Sequence, residues 1–192
     1  MRRVATLYRT TVGKKVLMAV SGVVLFGFVF AHMLGNLKML VPPSDGRFAM
    51  DVYAEFLREV GYPLLPVGGL LWIARLALLG AVGVHVLCAV QLARLSRAAR
   101  PSGYAREDSL SLSYASRTMR WGGVILLLFV VYHLLHFTTG QAHSSFVYGA
   151  VHLNYVNAFQ NPAIFLVYLI AQSALCLHLY HGVWRDRKST RL

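Results

Sequence analysis

Acidic residues are scarce in this sequence. There are seven in 192 residues, and none lies inside any of its four long apolar runs. That argues against the di-iron and zinc centres of helical proteins, which gather several ligands at one point, usually with carboxylates among them. Cysteine is scarce as well. Cys88 and Cys176 are the only two, and both sit within apolar runs, where small side chains are buried. There is no Cys-x-x-Cys-His, which excludes haem attached covalently through that motif. His-Glu-x-x-His is missing too, and so are an internal repeat of fixed period and a low-complexity tract. Charged residues make up 14% of the chain against 57% hydrophobic, a balance unlike that of an ordinary soluble domain. The basic N-terminus leads into a run too long for a signal core and without a small-residue cleavage site, so no cleaved signal peptide is expected.

What is present is a set of four runs near twenty residues each, at 16–40, 70–92, 121–139 and 163–184. At about 1.5 Å per residue each can cross a hydrocarbon core of roughly 30 Å, the third only just. The expected fold is all-α: one integral membrane helical bundle of four transmembrane helices, with no separate soluble part.

The net charge of +12 has a pattern. Arg2, Arg3, Arg9, Lys14 and Lys15 precede the first run. Arg94, Arg97, Arg100, Arg106, Arg117 and Arg120 lie between the second and third, and Arg185, Arg187, Lys188 and Arg191 follow the fourth. The first connecting loop has only Arg47 and Arg58, and the third has no Lys or Arg. This alternation expects both termini and the middle loop on the cytoplasmic side of an inner membrane. It leaves no basic face for nucleic acid.

In the first outer loop, Phe48, Val52, Phe56 and Val60 fall at helical spacing, with Asp51, Glu55, Arg58 and Glu59 elsewhere. That pattern predicts a short helix over 46–60, lying in the membrane interface. Gly61, Pro63 and Pro66 end it. Residues 141–160 read as a polar-aromatic, uncharged connection.

Eight histidines are present, and the runs distribute four of them one to a helix: His32, His85, His133 and His178. With the expected topology, His32 and His133 fall in the outer half of the membrane, and His85 and His178 in the inner half. The rise per residue separates the two layers by roughly 10 Å. Two layers of paired imidazoles suit two bis-histidine haems, because imidazole is an ordinary axial ligand of haem iron and needs no carboxylate. His136 and His181, three residues beyond His133 and His178, lie nearer the surface. Depth favours His133 and His178 as ligands. It leaves His136 and His181 to haem propionates, lipid head groups or interfacial anchoring.

Eleven residues make nearly three helical turns, so positions eleven apart share a face. Ser21, Gly122 and Ala74 stand eleven before His32, His133 and His85, and are small enough to clear a haem plane or to pack helices closely. Val167, eleven before His178, is larger. Arg75 is placed either to hold an outer haem propionate or a quinone oxygen, or to snorkel to the interface. Arg120 and Arg117 pose the same choice at the inner end of the third run. Glu55 and Glu59 read as solvated charges, or as proton acceptors near an outer quinone.

At this point the residues resemble a known family. VGKKVLMAVSGVVLFGFVFAHMLGN (12–36), GAVGVHVLCAV (80–90), RWGGVILLLFVVYH (120–133) and HLYHGVW (178–184) are similar to the four haem-binding helices of the cytochrome b subunit of succinate dehydrogenase and fumarate reductase, in its dihaem, single-anchor form. The last carries the family's His-x-x-x-Gly-x-Trp pattern. The resemblance runs from about residue 8 to residue 184, and it rests on the order and spacing of these segments together. It implies two haems b, with His32 paired with His133 and His85 with His178. It also implies a flavoprotein and an iron–sulfur subunit at the cytoplasmic face, and a membrane quinone, menaquinone by the habit of dihaem members. The dicarboxylate chemistry would lie on the flavoprotein, so no catalysis is expected of this chain alone. The family's fifth transmembrane helix is not seen in this sequence, which ends eight residues after Trp184; either this member lacks it or the sequence is truncated. Two other readings compete: a dihaem anchor of another quinone-linked enzyme, such as a hydrogenase or formate dehydrogenase, and a haem-free scaffold or transporter. The lack of intramembrane carboxylates and of broken, repeated helices argues against a transporter.

Overall fold

A computed structural model of the chain describes residues 9–99 and 110–189, with side chains described at 9–99 and 119–182. The basic residues Arg2, Arg3, Arg100, Arg106 and Arg191 lie outside the described residues. The described residues are helical, with no strand beyond an isolated bridge between Ser44 and Arg47. The helices are α1 (Thr11–Asn36), α2 (Ala49–Glu59), α3 (Gly69–Ala98), α4 (Leu110–His133), α5 (Val151–Phe159) and α6 (Pro162–Ser189). A 3-10 turn, Leu37–Leu40, extends α1, and a turn of π-helix, Leu134–Thr138, extends α4.

Four stretches are long and apolar enough to cross a membrane: Thr11–Leu40, Gly69–Ala98, Met119–Thr138 and Pro162–Gly182. They overlap the four runs read from the sequence, the third and fourth ending one and two residues before the runs do. The first two are longer than expected because helical hydrogen bonding does not stop where the apolar residues stop. At α1 the Thr10 hydroxyl accepts the Gly13 N–H at 2.9 Å, capping the helix a turn and a half before the apolar run begins. At α6 the Asn161 side chain accepts the Ala163 N–H at 2.9 Å, and Pro162 occupies the first helical position, where its missing N–H costs nothing.

The chain divides into two compact units, 1–103 and 104–192. In the first, α1 and α3 pack together as the arms of a hairpin. His85, late in α3, meets Met18, early in α1, so the arms run in opposite directions. α2 sits in the connection between them. It turns Met50 inward, 5% exposed, and lays Tyr53 against Gly35, where an added Cβ would stand 2.9 Å from the ring. The face it leaves outward is Phe48, Val52 and Phe56, the stripe expected to meet an interface. Arg47 donates a hydrogen bond to Glu55 at the start of this segment. The carboxylate beside it holds the Arg47 guanidinium still more firmly protonated. Glu55 is therefore the partner of a surface cation.

In the second unit α4 and α6 form a corresponding hairpin. Its connection, polar-aromatic and uncharged in sequence, carries α5. α5 is anchored by Asn154, 3% exposed. The Asn154 carboxamide accepts the Val147 N–H at 2.9 Å and donates to the Val147 carbonyl at 2.8 Å. Gly140, at φ +75°, has the Phe146 ring where a Cβ would stand.

Few apolar side chains are buried among the described residues: Met50, Cys88, Ala158, Ala171 and Ala174. The large ones face outward along all four long helices, Val23 at 71% exposure and Leu128 at 66% among them. A chain with this surface is a multi-pass membrane protein, because lipid is the solvent that such a surface suits. Asn154→Leu removes both hydrogen bonds to Val147 and leaves two backbone groups unsatisfied. It is expected to destabilise the second unit by about 2–4 kcal/mol, read as a lowered melting temperature in detergent, together with faster exchange of the Val147 amide.

Candidate functional site

The four expected ligands, one to a long helix, fall at two levels in each hairpin. In the first unit the His85 ring reaches the backbone of α1. Its Nδ1 lies 3.1 Å from the Met18 carbonyl and 3.4 Å from the Ser21 hydroxyl. A carbonyl only accepts, so Nδ1 carries the hydrogen and the lone pair of the neutral ring is at Nε2. The Ser21 hydroxyl is directed back into its own helix, donating to Leu17 and Met18 carbonyls at 2.7 and 3.1 Å. Ser21 is buried, 6% exposed. The close approach depends on Gly22, where an added Cβ would stand 3.3 Å from His85 Cε1.

His32 lies ten residues beyond Gly22 on the same helix. That places it about 15 Å from the level of His85 by helical rise. It stacks on Phe28 with centroids 5.3 Å apart. By the same antiparallel register, Arg75, ten residues before His85, falls at the level of His32. Its guanidinium lies over the Trp72 ring at 5.0 Å.

The second unit repeats the plan. His178, late in α6, packs on Gly123, where an added Cβ would stand 3.8 Å from its Cε1. Gly122 faces the Ala174 carbonyl, 3.9 Å from the same hypothetical atom. His133 lies ten residues beyond Gly123, as His32 does beyond Gly22. Opposite it stands Tyr168, ten residues before His178, with its hydroxyl 3.3 Å from His133 Nδ1. The structure therefore separates His32 from His85, and His133 from His178, within their hairpins. Each expected ligand pair takes one histidine from each unit.

His136 is buried within the second unit. It has no exposed area, and its Nδ1 lies 2.9 Å from the Tyr168 hydroxyl. Its ring stacks with Tyr132 at 5.2 Å and with His143 at 4.9 Å. The π turn that carries it is a distortion frequent at functional sites. His181 has a buried Nε2 with no hydrogen-bond partner and sets its ring edge-on to Tyr180 at 5.2 Å. Arg120 is exposed near the start of the third span. Cys88 is buried and Cys176 exposed, both as free thiols. Among the described residues no three of His, Cys, Asp and Glu converge as a metal-holding group.

Sequence reasoning missed Gly22, Gly123, the Met18 carbonyl and Tyr168. The glycines had a signal: each is the second of a small pair, Ser21-Gly22 and Gly122-Gly123, at the same distance from a histidine. The chain matches no protein-family model, no curated protein and no solved structure.

The two glycine contacts differ in room. Gly22→Val should displace His85 and destabilise the chain by about 1–3 kcal/mol through overpacking. Gly123→Ala meets only ordinary contact and should be neutral or stabilising by up to about 1 kcal/mol, as for an interior helical glycine. Thermal unfolding of the two variants in detergent checks this, and the reverse order of stability would sink it.

Proposed function

We propose that the chain is a dihaem cytochrome b, the membrane anchor of a succinate:quinone oxidoreductase. It would pass electrons between an iron–sulfur subunit and a membrane quinone, menaquinone by the family resemblance. One observation carries the reading: both hairpins place one histidine on a glycine of the opposite arm and a second histidine ten residues further along that arm. Two levels about 15 Å apart are what two stacked bis-imidazole centres require of four helices.

The donor set fits. Ligating histidines almost always donate their second ring N–H to an acceptor, which fixes tautomer and orientation. His85 has that arrangement with the Met18 carbonyl, and His133 has an acceptor at hand in Tyr168. Gly22 leaves the space a side chain would fill beside His85. The side chains that would hold the groups are His32 with His133, and His85 with His178. Haem, when bound, supplies a one-electron carrier. Ser21 lies beside the His85 ring, its hydroxyl 3.4 Å from Nδ1. Arg75, at the level of His32, is positioned for a propionate or a quinone oxygen, and Arg120 and His181 are candidates for the inner group. With both termini and the middle loop on the cytoplasmic side, the orientation the basic segments favour, a flavoprotein and an iron–sulfur subunit would dock there.

The purified chain should hold two haems b, visible in a reduced-minus-oxidised spectrum. His32→Ala and His133→Ala should each lose the same haem, and His85→Ala and His178→Ala the other. If His32→Ala and His85→Ala instead abolish one and the same redox component, the assignment fails. Copurification with a flavin-bearing subunit that succinate reduces separates this reading from an anchor of a hydrogenase or formate dehydrogenase. A chain without haem would instead be a scaffold or transporter.

A further inference from the structure

The two units repeat one another in sequence as well as in plan. Met18, Gly22, Phe28 and His32 of α1 recur as Met119, Gly123, Phe129 and His133 of α4, each 101 residues on. Val23, Leu25 and Val29 recur with them, as Val124, Leu126 and Val130. In the second arms the interval is 93 residues. It separates His85 from His178, and also Gly69 from Pro162, the first residues of α3 and α6. The change falls in the segment before the second arm, which is nine residues long at 60–68 and two at 160–161. That step is why no fixed period runs along the chain.

The copies do not keep everything. Gly35 corresponds to His136, Arg75 to Tyr168 and Cys88 to His181, with nothing in common. What they keep meets the histidines. Gly22 and Gly123 stand against His85 and His178. Phe28 and Phe129 stand against His32 and His133, four residues before each. The Phe28 and His32 rings stack at 5.3 Å between centroids, with 25° between their planes. The Phe129 and His133 rings lie at 5.8 Å and 33°. Tyr168 in turn packs edge-on to Phe129 at 4.9 Å. Helical side chains lean towards the N-terminus, so a ring at i+4 falls over a ring at i. The last torsion of a histidine is broad, so covalent geometry leaves its ring plane undefined. A neighbouring aromatic face narrows it, because ring pairs prefer offset-stacked or edge-on arrangements.

We infer that Phe28 and Phe129 are positioning residues that set the ring planes of His32 and His133 for ligation. This inference rests on the dihaem reading. Groups packed around a ligating imidazole fix its orientation. In an oxidised bis-imidazole haem, the low-field g value follows the angle between the two imidazole planes. The ring plane can therefore be read without any electron-transfer assay.

The test is electron paramagnetic resonance of the purified, oxidised, haem-loaded full chain. Phe28→Leu should keep two haems and move the low-field g value of one, the haem that His32→Ala loses. Phe129→Leu should do the same to the haem that His133→Ala loses. Phe28→Tyr keeps the ring and should leave the signal at its wild-type position. So should Phe30→Leu, since Phe30, 53% exposed, lies two residues from His32 and does not face it. Phe28→Met and Phe129→Met, apolar and ringless, carry the same expectation if the leucine variants do not accumulate. Unmoved signals in the leucine or methionine variants overturn the inference. So does a shift in Phe28→Tyr or Phe30→Leu as large as that in Phe28→Leu. A wild-type chain without haem overturns the dihaem reading itself, an outcome distinct from a two-haem protein whose spectrum ignores both phenylalanines.

Discussion

A ring can reach the main chain of a neighbouring helix only where that helix carries no side chain in the way. The first hairpin depends on this. Gly22 admits His85 to within hydrogen-bond reach of the Met18 carbonyl, and Gly123 receives His178. Inside a hydrocarbon layer an imidazole N–H without an acceptor is costly, and there is no water to supply one. A carbonyl has two lone pairs, so the Met18 oxygen can stay in its own helical ladder and still accept from His85. The glycine thus decides where along the helix the histidine can lie. Since glycine and the next histidine are ten residues apart in both hairpins, the rise of the helix sets the separation of the two levels.

The same constraint explains which side chains are hidden. Ser21, His136, His143 and Asn154 are buried, nearly as many as the buried apolar residues, while leucines and valines cover the outside. A membrane removes the hydrophobic drive for helices to associate, because lipid tails are as apolar as leucine. Close packing at small residues and hydrogen bonds between helices remain. The His85–Met18 and His136–Tyr168 contacts are of this kind, one in each hairpin, and each buried polar atom without a partner stands out against that rule. His136 Nε2 and His181 Nε2 are such atoms.

Much of the fold was legible because the apolar runs and the basic segments between them are long-range statistical features that no local detail overturns. The outward stripe Phe48–Val52–Phe56 was legible for the same reason. The candidate site was legible only in part. The four histidines and Ser21 could be read, since an ionisable or polar group in an apolar run is conspicuous. Tyr168 could not, because a tyrosine among Phe165, Leu166 and Leu169 reads as bulk until its hydroxyl is seen between two rings. The Met18 carbonyl could not, because a backbone acceptor has no sequence signature. α5 escaped because its nine residues are too few for a clear period, and its anchor is Asn154, a residue that reads as loop. The separation of the levels, roughly 10 Å from run ends and about 15 Å from the register, differs because run ends do not say which residue faces which.

That revised separation narrows the chemistry. Two nitrogens on opposite faces of one iron are about 4 Å apart, given metal–nitrogen bonds near 2 Å. His32 and His85 stand about 15 Å apart along their hairpin, and so do His133 and His178. Neither hairpin alone can give one iron two of these imidazoles. A single-hairpin metal site built from them is thereby excluded, as is a single site that gathers all four. Each hairpin therefore offers one of these imidazoles at each of its two levels. The small pairs Ser21-Gly22 and Gly122-Gly123 are then not merely packing devices. Each pair marks the level of the histidine that meets it, ten residues from the next histidine along the helix.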